Sequence, residues 1–78
     1  MAGFGEPGVT TVDARGLTVG VVAARWHGEL VDVMLSRALA AAAACGVTDV
    51  RVTRVAGSVE LPVLAQALAR HCDAVVAL

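Results

Sequence analysis

The 78-residue sequence lacks the features that would assign it to several common classes of protein. No apolar run approaches the roughly 18 residues that a membrane-spanning helix needs, and the longest candidate, 38–47, is rich in alanine. The formal net charge is −1 and the basic residues do not cluster, so nucleic-acid binding has no electrostatic basis. A secretion signal begins with a basic segment followed by an apolar stretch. The N-terminal residues of this sequence include Glu6 and Asp13 and lack that pattern. We therefore expect a cytoplasmic protein with neither membrane nor nucleic-acid partners.

Cysteine is also scarce, with Cys45 and Cys72 as the two examples. Both stand among apolar residues, where a thiol most simply acts as a small hydrophobic side chain. A metal site would need more ligands at closer spacing, and a disulfide is not expected in a cytoplasmic chain.

Apolar residues, in contrast, are abundant at 58% of the sequence, with a mean hydropathy of +0.77. A chain of this size buries only about 60% of its unfolded surface when it folds alone. We therefore expect much apolar surface to be covered by partner chains, by a further part of the domain, or by both.

The hydrophobic pattern predicts one α/β domain. Residues 17–24 are apolar on both faces, as in a central parallel strand, whereas Val50 and Val52 alternate with polar residues, as at an edge. Gly46 suits the left-handed position after a helix. Strands are predicted at 17–24, 50–55 and 74–78, and helices at 29–45 and 60–71. This β-α-β-α-β order predicts a parallel sheet of order 2-1-3 with right-handed crossovers and helices on both faces.

The two ends of the chain carry separate expectations. Residues 1–16 form an N-terminal arm, in which 9–12 could add as a strand to a neighbouring sheet or remain disordered. Residues 74–78 are entirely apolar, typical of a strand inside a larger sheet. A bare apolar edge promotes aggregation, so 17–78 resembles the N-terminal part of a truncated domain.

Candidate site residues follow the strand ends, where open parallel sheets bind their ligands. Trp26 could stack on a planar heteroaromatic ring or simply cover the helix. Ser58 opens a helix whose free N–H groups could bind a ligand, although it could equally be a plain N-cap. Glu60 could accept hydrogen bonds from hydroxyl groups or only complement the helix dipole. His27 has no carboxylate or nucleophile beside it in sequence, and neither loop has the glycine spacing of a nucleotide-binding motif.

Three segments together resemble the 6,7-dimethyl-8-ribityllumazine synthase family, in its actinobacterial form. They are Val-Ala-Ala-Arg-Trp-His-Gly at 22–28, Arg-Val-Ala-Gly-Ser-Val-Glu-Leu-Pro at 54–62 and Asp-Ala-Val-Val-Ala-Leu at 73–78. The resemblance implies a flavodoxin-like fold with a four-stranded parallel sheet. It also implies the penultimate step of riboflavin synthesis, without cofactor or metal. In that step 5-amino-6-ribitylaminouracil condenses with 3,4-dihydroxy-2-butanone 4-phosphate, at sites between the subunits of a pentamer or larger shell.

The resemblance also implies roles for particular residues. Trp26 matches the aromatic residue that stacks on the pyrimidine, and Glu60 the residue that binds ribityl hydroxyls. Ser58 and Val59 match the segment that contacts the ring. Ala24 and His27 match pocket-lining positions, although His27 replaces a common asparagine.

The family's proton-transfer histidine, a lysine and a phosphate-binding arginine have no counterpart among these residues. We therefore expect this polypeptide to be inactive alone and assign it no catalytic residue. The alternatives are a catalytically silent ligand-binding or shell-forming module, favoured by a stop codon after Leu78, and an unrelated receiver-like domain. A receiver is disfavoured because it needs acidic residues where the first strand ends in Ala-Ala-Arg.

Overall fold

The computed structural model describes residues 11–78 and contains one parallel sheet with helices on both faces. Its elements are β1 (Thr18–Ala24), α1 (Gly28–Ala44), β2 (Asp49–Val55), a 3₁₀ turn (Ser58–Glu60), α2 (Leu61–Ala69) and β3 (Ala74–Ala77). The sheet order is β2-β1-β3, so the predicted fold class and order 2-1-3 are confirmed.

β1 is the central strand and pairs in parallel with both neighbours. Val19 lies opposite Val50 of β2 and opposite Ala74 of β3. The second half of the strand, Val21 to Ala24, is buried throughout. A strand with apolar side chains on both faces suits this position, because each face is covered by a different layer.

β2 and β3 form the two outer positions of the sheet. The alternating polar residues of β2 predicted its edge position, and Arg51 and Val52 are exposed there. β3 lies on the opposite side, where Val76 remains 38% exposed. The apolar side chains of β3 are therefore only partly buried by the described residues.

α2 packs closely on one face of the sheet. Its side chains cover a core formed by Val22, Ala24 and Val55. A Cβ placed on Gly20 of β1 would lie 3.1 Å from the Cys72 Sγ and 3.3 Å from the Leu68 Cβ, so glycine permits this close approach. The residues of α2 and β3 that pack against the core are Leu61, Leu64, Ala65, Leu68 and Val75.

α1 covers the opposite face more loosely. Val31 is its one buried residue, whereas the apolar residues Met34 and Ala41 are exposed. A largely apolar groove remains between helix and sheet, lined by Val19, Val21, Ala38, Ala41, Ala42, Cys45, Val47, Ala74 and Val76. The side chains of Ala38, Ala41 and Ala42 are too short to fill it, so the apolar residues of α1 are only partly buried.

The amino-terminal edge of the sheet is fixed by Asp73. Its backbone N–H donates to the Thr18 carbonyl, and its carboxylate accepts from the Thr18 N–H, each at 2.8 Å. This reciprocal pair sets the start of β3 against the start of β1. Cys45 and Cys72 are both half-buried free thiols.

Most of the predicted arm, 1–16, lies outside the described residues, including 9–10 of the predicted strand at 9–12. Thr11 and Val12 form no strand with the rest of 11–78. Within the described range, no helix is both long and apolar enough to cross a membrane.

Candidate functional site

Two loops leave the carboxyl edge of the sheet side by side. Ala24 lies opposite Val55 in the parallel register, so β1 and β2 end at the same level. The Arg25 N–H then donates to the Val55 carbonyl at 2.7 Å, which ties the start of one loop to the end of the other strand. Trp26 and Glu60 therefore belong to adjoining loops at one edge of the sheet.

The Trp26 loop, residues 25–27, presents its indole to solvent and ends in a strained residue. Trp26 is 69% exposed. His27 has φ 56° and ψ 51°, the left-handed region, which costs an ordinary residue about 1–2 kcal/mol. Its ring lies edge-on to the indole, with 5.2 Å between ring centroids and an interplanar angle of 75°. The exposed indole face is thus available for a planar ligand.

The second loop is shaped by a contact between Glu60 and Gly57. One Glu60 carboxylate oxygen, Oε2, accepts a hydrogen bond from the Gly57 N–H at 3.1 Å. Ser58 is the first residue of the 3₁₀ turn, whose N-cap is Gly57, and the N-cap of α2 is Glu60, so the alternative of Ser58 as a plain N-cap does not hold. Val59 is 87% exposed. Among residues 11–78, no donor contacts Glu60 Oε1, which leaves that oxygen able to accept from a ligand.

Ala24 and His27 occupy different positions relative to this edge. The Ala24 side chain is buried in the core against α2, so its methyl group faces away from solvent. Its N–H donates to the Leu78 carbonyl at 2.9 Å, which brings the end of the third strand beside the site. His27 borders a surface depression of about 340 Å³ that Gly28, Glu29 and Leu30 complete.

The described residues offer neither a metal centre nor a preformed catalytic pair. No cluster of three metal-ligating side chains occurs within 11–78. The His27 imidazole forms no hydrogen bond to a described residue, so no carboxylate orients it as a base. What the edge provides is an exposed aromatic face and an adjoining carboxylate.

One contributor was missed from the sequence. Arg54, in β2, donates from Nη2 to the Ala24 carbonyl at 3.1 Å, directly before the Trp26 loop. The available signal was an arginine placed between Thr53 and Val55 at the end of a predicted strand, but its partners lie far away in sequence.

Comparisons with known proteins give a family for this arrangement. The family described as 6,7-dimethyl-8-ribityllumazine synthase matches residues 16–78. The chain is 78% identical over its whole length to the protein of that name from Salinispora arenicola, of which it covers 47%. It is 63% identical to the one from Thermobifida fusca and 50% identical to the one from Saccharopolyspora erythraea, covering 45% and 47% of them. The chain thus spans about half the length of these relatives. By these matches, the chain belongs to the 6,7-dimethyl-8-ribityllumazine synthase family.

Proposed function

We propose that this chain supplies the pyrimidine- and ribityl-binding part of a lumazine synthase site in riboflavin biosynthesis. The reaction condenses 5-amino-6-ribitylaminouracil with 3,4-dihydroxy-2-butanone 4-phosphate to give 6,7-dimethyl-8-ribityllumazine. The observation that carries the proposal is the juxtaposition of the Trp26 loop and the Glu60 turn at one edge of the sheet. The hydrogen bond of 2.7 Å from Arg25 to Val55 holds these segments together.

The roles divide according to side-chain chemistry. The exposed indole of Trp26 stacks on the planar pyrimidine, a contact worth about 1–3 kcal/mol by comparison with base stacking. Glu60 accepts hydrogen bonds from ribityl hydroxyls through Oε1, while Oε2 stays on the Gly57 N–H. Ser58 and Val59 contact the ring from the turn. Ala24 supplies a wall behind the site through its backbone, and His27 lies at its rim beside the indole.

The proposed chemistry needs further groups beyond these. Proton transfer requires a positioned base, and binding of the phosphate requires a cationic donor. We propose that other parts of the full-length subunit and a neighbouring subunit of a pentamer, or of a larger shell, supply them. The polypeptide of residues 1–78 is then inactive alone, acts in the cytoplasm when complete, and uses no metal or cofactor.

Titration with a ribityl-bearing pyrimidine tests the binding half of the proposal. Trp26 is the sole tryptophan of the chain, so stacking should quench its emission without a background from other indoles. Trp26→Ala should abolish most calorimetric binding. Glu60→Gln should weaken binding about tenfold, equivalent to about 1.4 kcal/mol. The affinity for a pyrimidine without the polyol should not change.

Asp13→Asn is the matched control, because it removes one exposed carboxylate near the opposite edge of the sheet, where Ala14 donates to the Cys45 carbonyl. Its affinity should equal that of the unchanged chain. Equal losses in Asp13→Asn and Glu60→Gln would contradict the assignment of Glu60. Lumazine formation by the 78-residue chain above the spontaneous rate would contradict its proposed inactivity.

A further inference from the structure

Arg54 is the least exposed arginine among the ion pairs of the described residues. Its side chain is 27% exposed, compared with 78% for Arg15 and 51% for Arg51. The next residue, Val55, faces the core beneath α2. Because successive strand residues face opposite sides, Arg54 extends on the face that α1 covers.

The guanidinium of Arg54 contacts both flanks of the Trp26 loop. Nη2 donates to the Ala24 carbonyl at 3.1 Å, at the end of β1. Nη1 donates to the Asp32 carboxylate at 3.0 Å, in the second turn of α1. The loop of residues 25–27 follows Ala24 and leads into α1, the helix that carries Asp32. One planar side chain therefore connects the ends of β1 and β2 with the beginning of α1.

Besides the hydrogen bond from the Arg25 N–H to the Val55 carbonyl and the one from the Val31 N–H to the His27 carbonyl, the loop itself has few contacts that fix its shape. Trp26 is 69% exposed, and its one aromatic contact is with His27, which holds a left-handed conformation. A residue held in such a conformation depends on the surrounding structure to keep it there. The Arg54 contacts are charge-assisted, a class of hydrogen bond that is stronger than a neutral one, and the fork of the guanidinium fixes their relative direction.

We infer that Arg54 is a positioning residue, whose contacts with the Ala24 carbonyl and the Asp32 carboxylate set the orientation of the Trp26 indole relative to the Glu60 turn. It acts through the loop and does not touch the ligand. For ligand binding this inference rests on the proposed function, but the effect on the indole exists without any ligand.

The test compares Arg54→Met, Arg54→Lys and Asp32→Asn in the 78-residue chain. Without ligand, Arg54→Met should lower the fluorescence anisotropy of Trp26 and raise its quenching by acrylamide. Affinity for the ribityl-pyrimidine should fall about tenfold, or about 1.4 kcal/mol. Arg54→Lys should recover part of both effects, since lysine keeps the charge without the planar fork. Asp32→Asn retains the Ala24 contact and should shift both readouts in the same direction by less.

Arg51→Met is the matched control, since it removes a second arginine from β2 whose partner is Asp49 at the start of that strand. It should leave anisotropy and affinity unchanged. Unchanged indole motion in folded Arg54→Met would overturn the inference, as would weaker binding without a change in anisotropy, which marks a direct ligand contact. If Arg54→Met does not fold, Asp32→Asn decides by the same readouts. If the indole is released but even the unchanged chain does not bind the pyrimidine, the proposed function fails and the positioning role stands.

Discussion

Replacing Gly46 by alanine should destabilise the fold through the backbone of a helix end. Gly46 follows the C-cap of α1 with φ +84°. Its N–H donates to the Ala43 carbonyl and the Val47 N–H to the Ala42 carbonyl, each at 3.0 Å. This is the hydrogen-bond pattern of the Schellman motif, which ends a helix with one left-handed residue. The termination of α1 and the burial of Val47 thus both depend on this conformation.

The magnitude follows from the conformation and its surroundings. A side chain in the left-handed region costs about 1–2 kcal/mol. The new Cβ would also lie 2.6 Å from the Arg15 Cγ, but the Arg15 side chain is 78% exposed and can move aside. Gly28→Ala is the matched control, because an added Cβ at Gly28 meets nothing within 4 Å at the start of α1. It should stabilise the fold by about 0.5 kcal/mol, as alanine does in helices.

Thermal and urea unfolding followed by circular dichroism measure both changes. In a domain of this size, about 1 kcal/mol corresponds to roughly 4–8 °C in Tm. Gly46→Ala should therefore lower Tm by about 4–16 °C, and Gly28→Ala should raise it slightly. The reasoning is refuted if the two variants shift Tm in the same direction, or if Gly46→Ala leaves it unchanged.

Two further predictions concern the sheet. Gly20→Ala should lower the free energy of unfolding in urea by about 1 kcal/mol, because the added Cβ would lie 3.1 Å from the Cys72 Sγ. An unchanged urea midpoint would contradict the close packing of Gly20. Hydrogen bonds from Arg51 and Thr18 lower the pKa of Asp49. A carboxylate with a lowered folded-state pKa stabilises above its ordinary pKa and loses this contribution in acid. Between about pH 6 and pH 3, Asp49→Asn should therefore lose less stability than the unchanged chain, and an equal loss would disprove the linkage.

The sheet order could be predicted because the polarity of each strand's residues indicates whether the strand is central or at an edge. Arg51 and Thr53 alternate with valines in β2, whereas β1 has no charged residue before Arg25. That contrast separates an edge strand from a central one. Gly46 was equally predictable, since glycine is the residue that most readily adopts the left-handed conformation after a helix.

The conformations at the loop tips were less predictable. The helix predicted at 29–45 leaves Gly28 directly before its first residue, and glycine adopts a positive φ most readily. Instead Gly28 begins the helix, and His27 takes the positive φ. The helix predicted from residue 60 is preceded by the 3₁₀ turn Ser58–Glu60 and begins at Leu61, with Pro62 in its first turn. Both differences arise where neighbouring loops meet, which local propensity does not describe.

The contacts of Arg54 are the clearest example of a feature that could not be predicted from the sequence. Its partners lie 22 and 30 residues away, and neither Asp32 nor Ala24 has a residue type or spacing that predicts the contact. Yet the strain of about 1–2 kcal/mol at His27 needs a compensating interaction nearby. Hydrogen bonds to charged groups contribute about 1.5–3 kcal/mol, and less where a partner is exposed as Asp32 is. The contacts of Arg54 are therefore comparable in size with the strain, although the Nε of Arg54 is buried without a partner among residues 11–78, which offsets part of their contribution. These contacts exist only once the sheet has brought β1, β2 and α1 together.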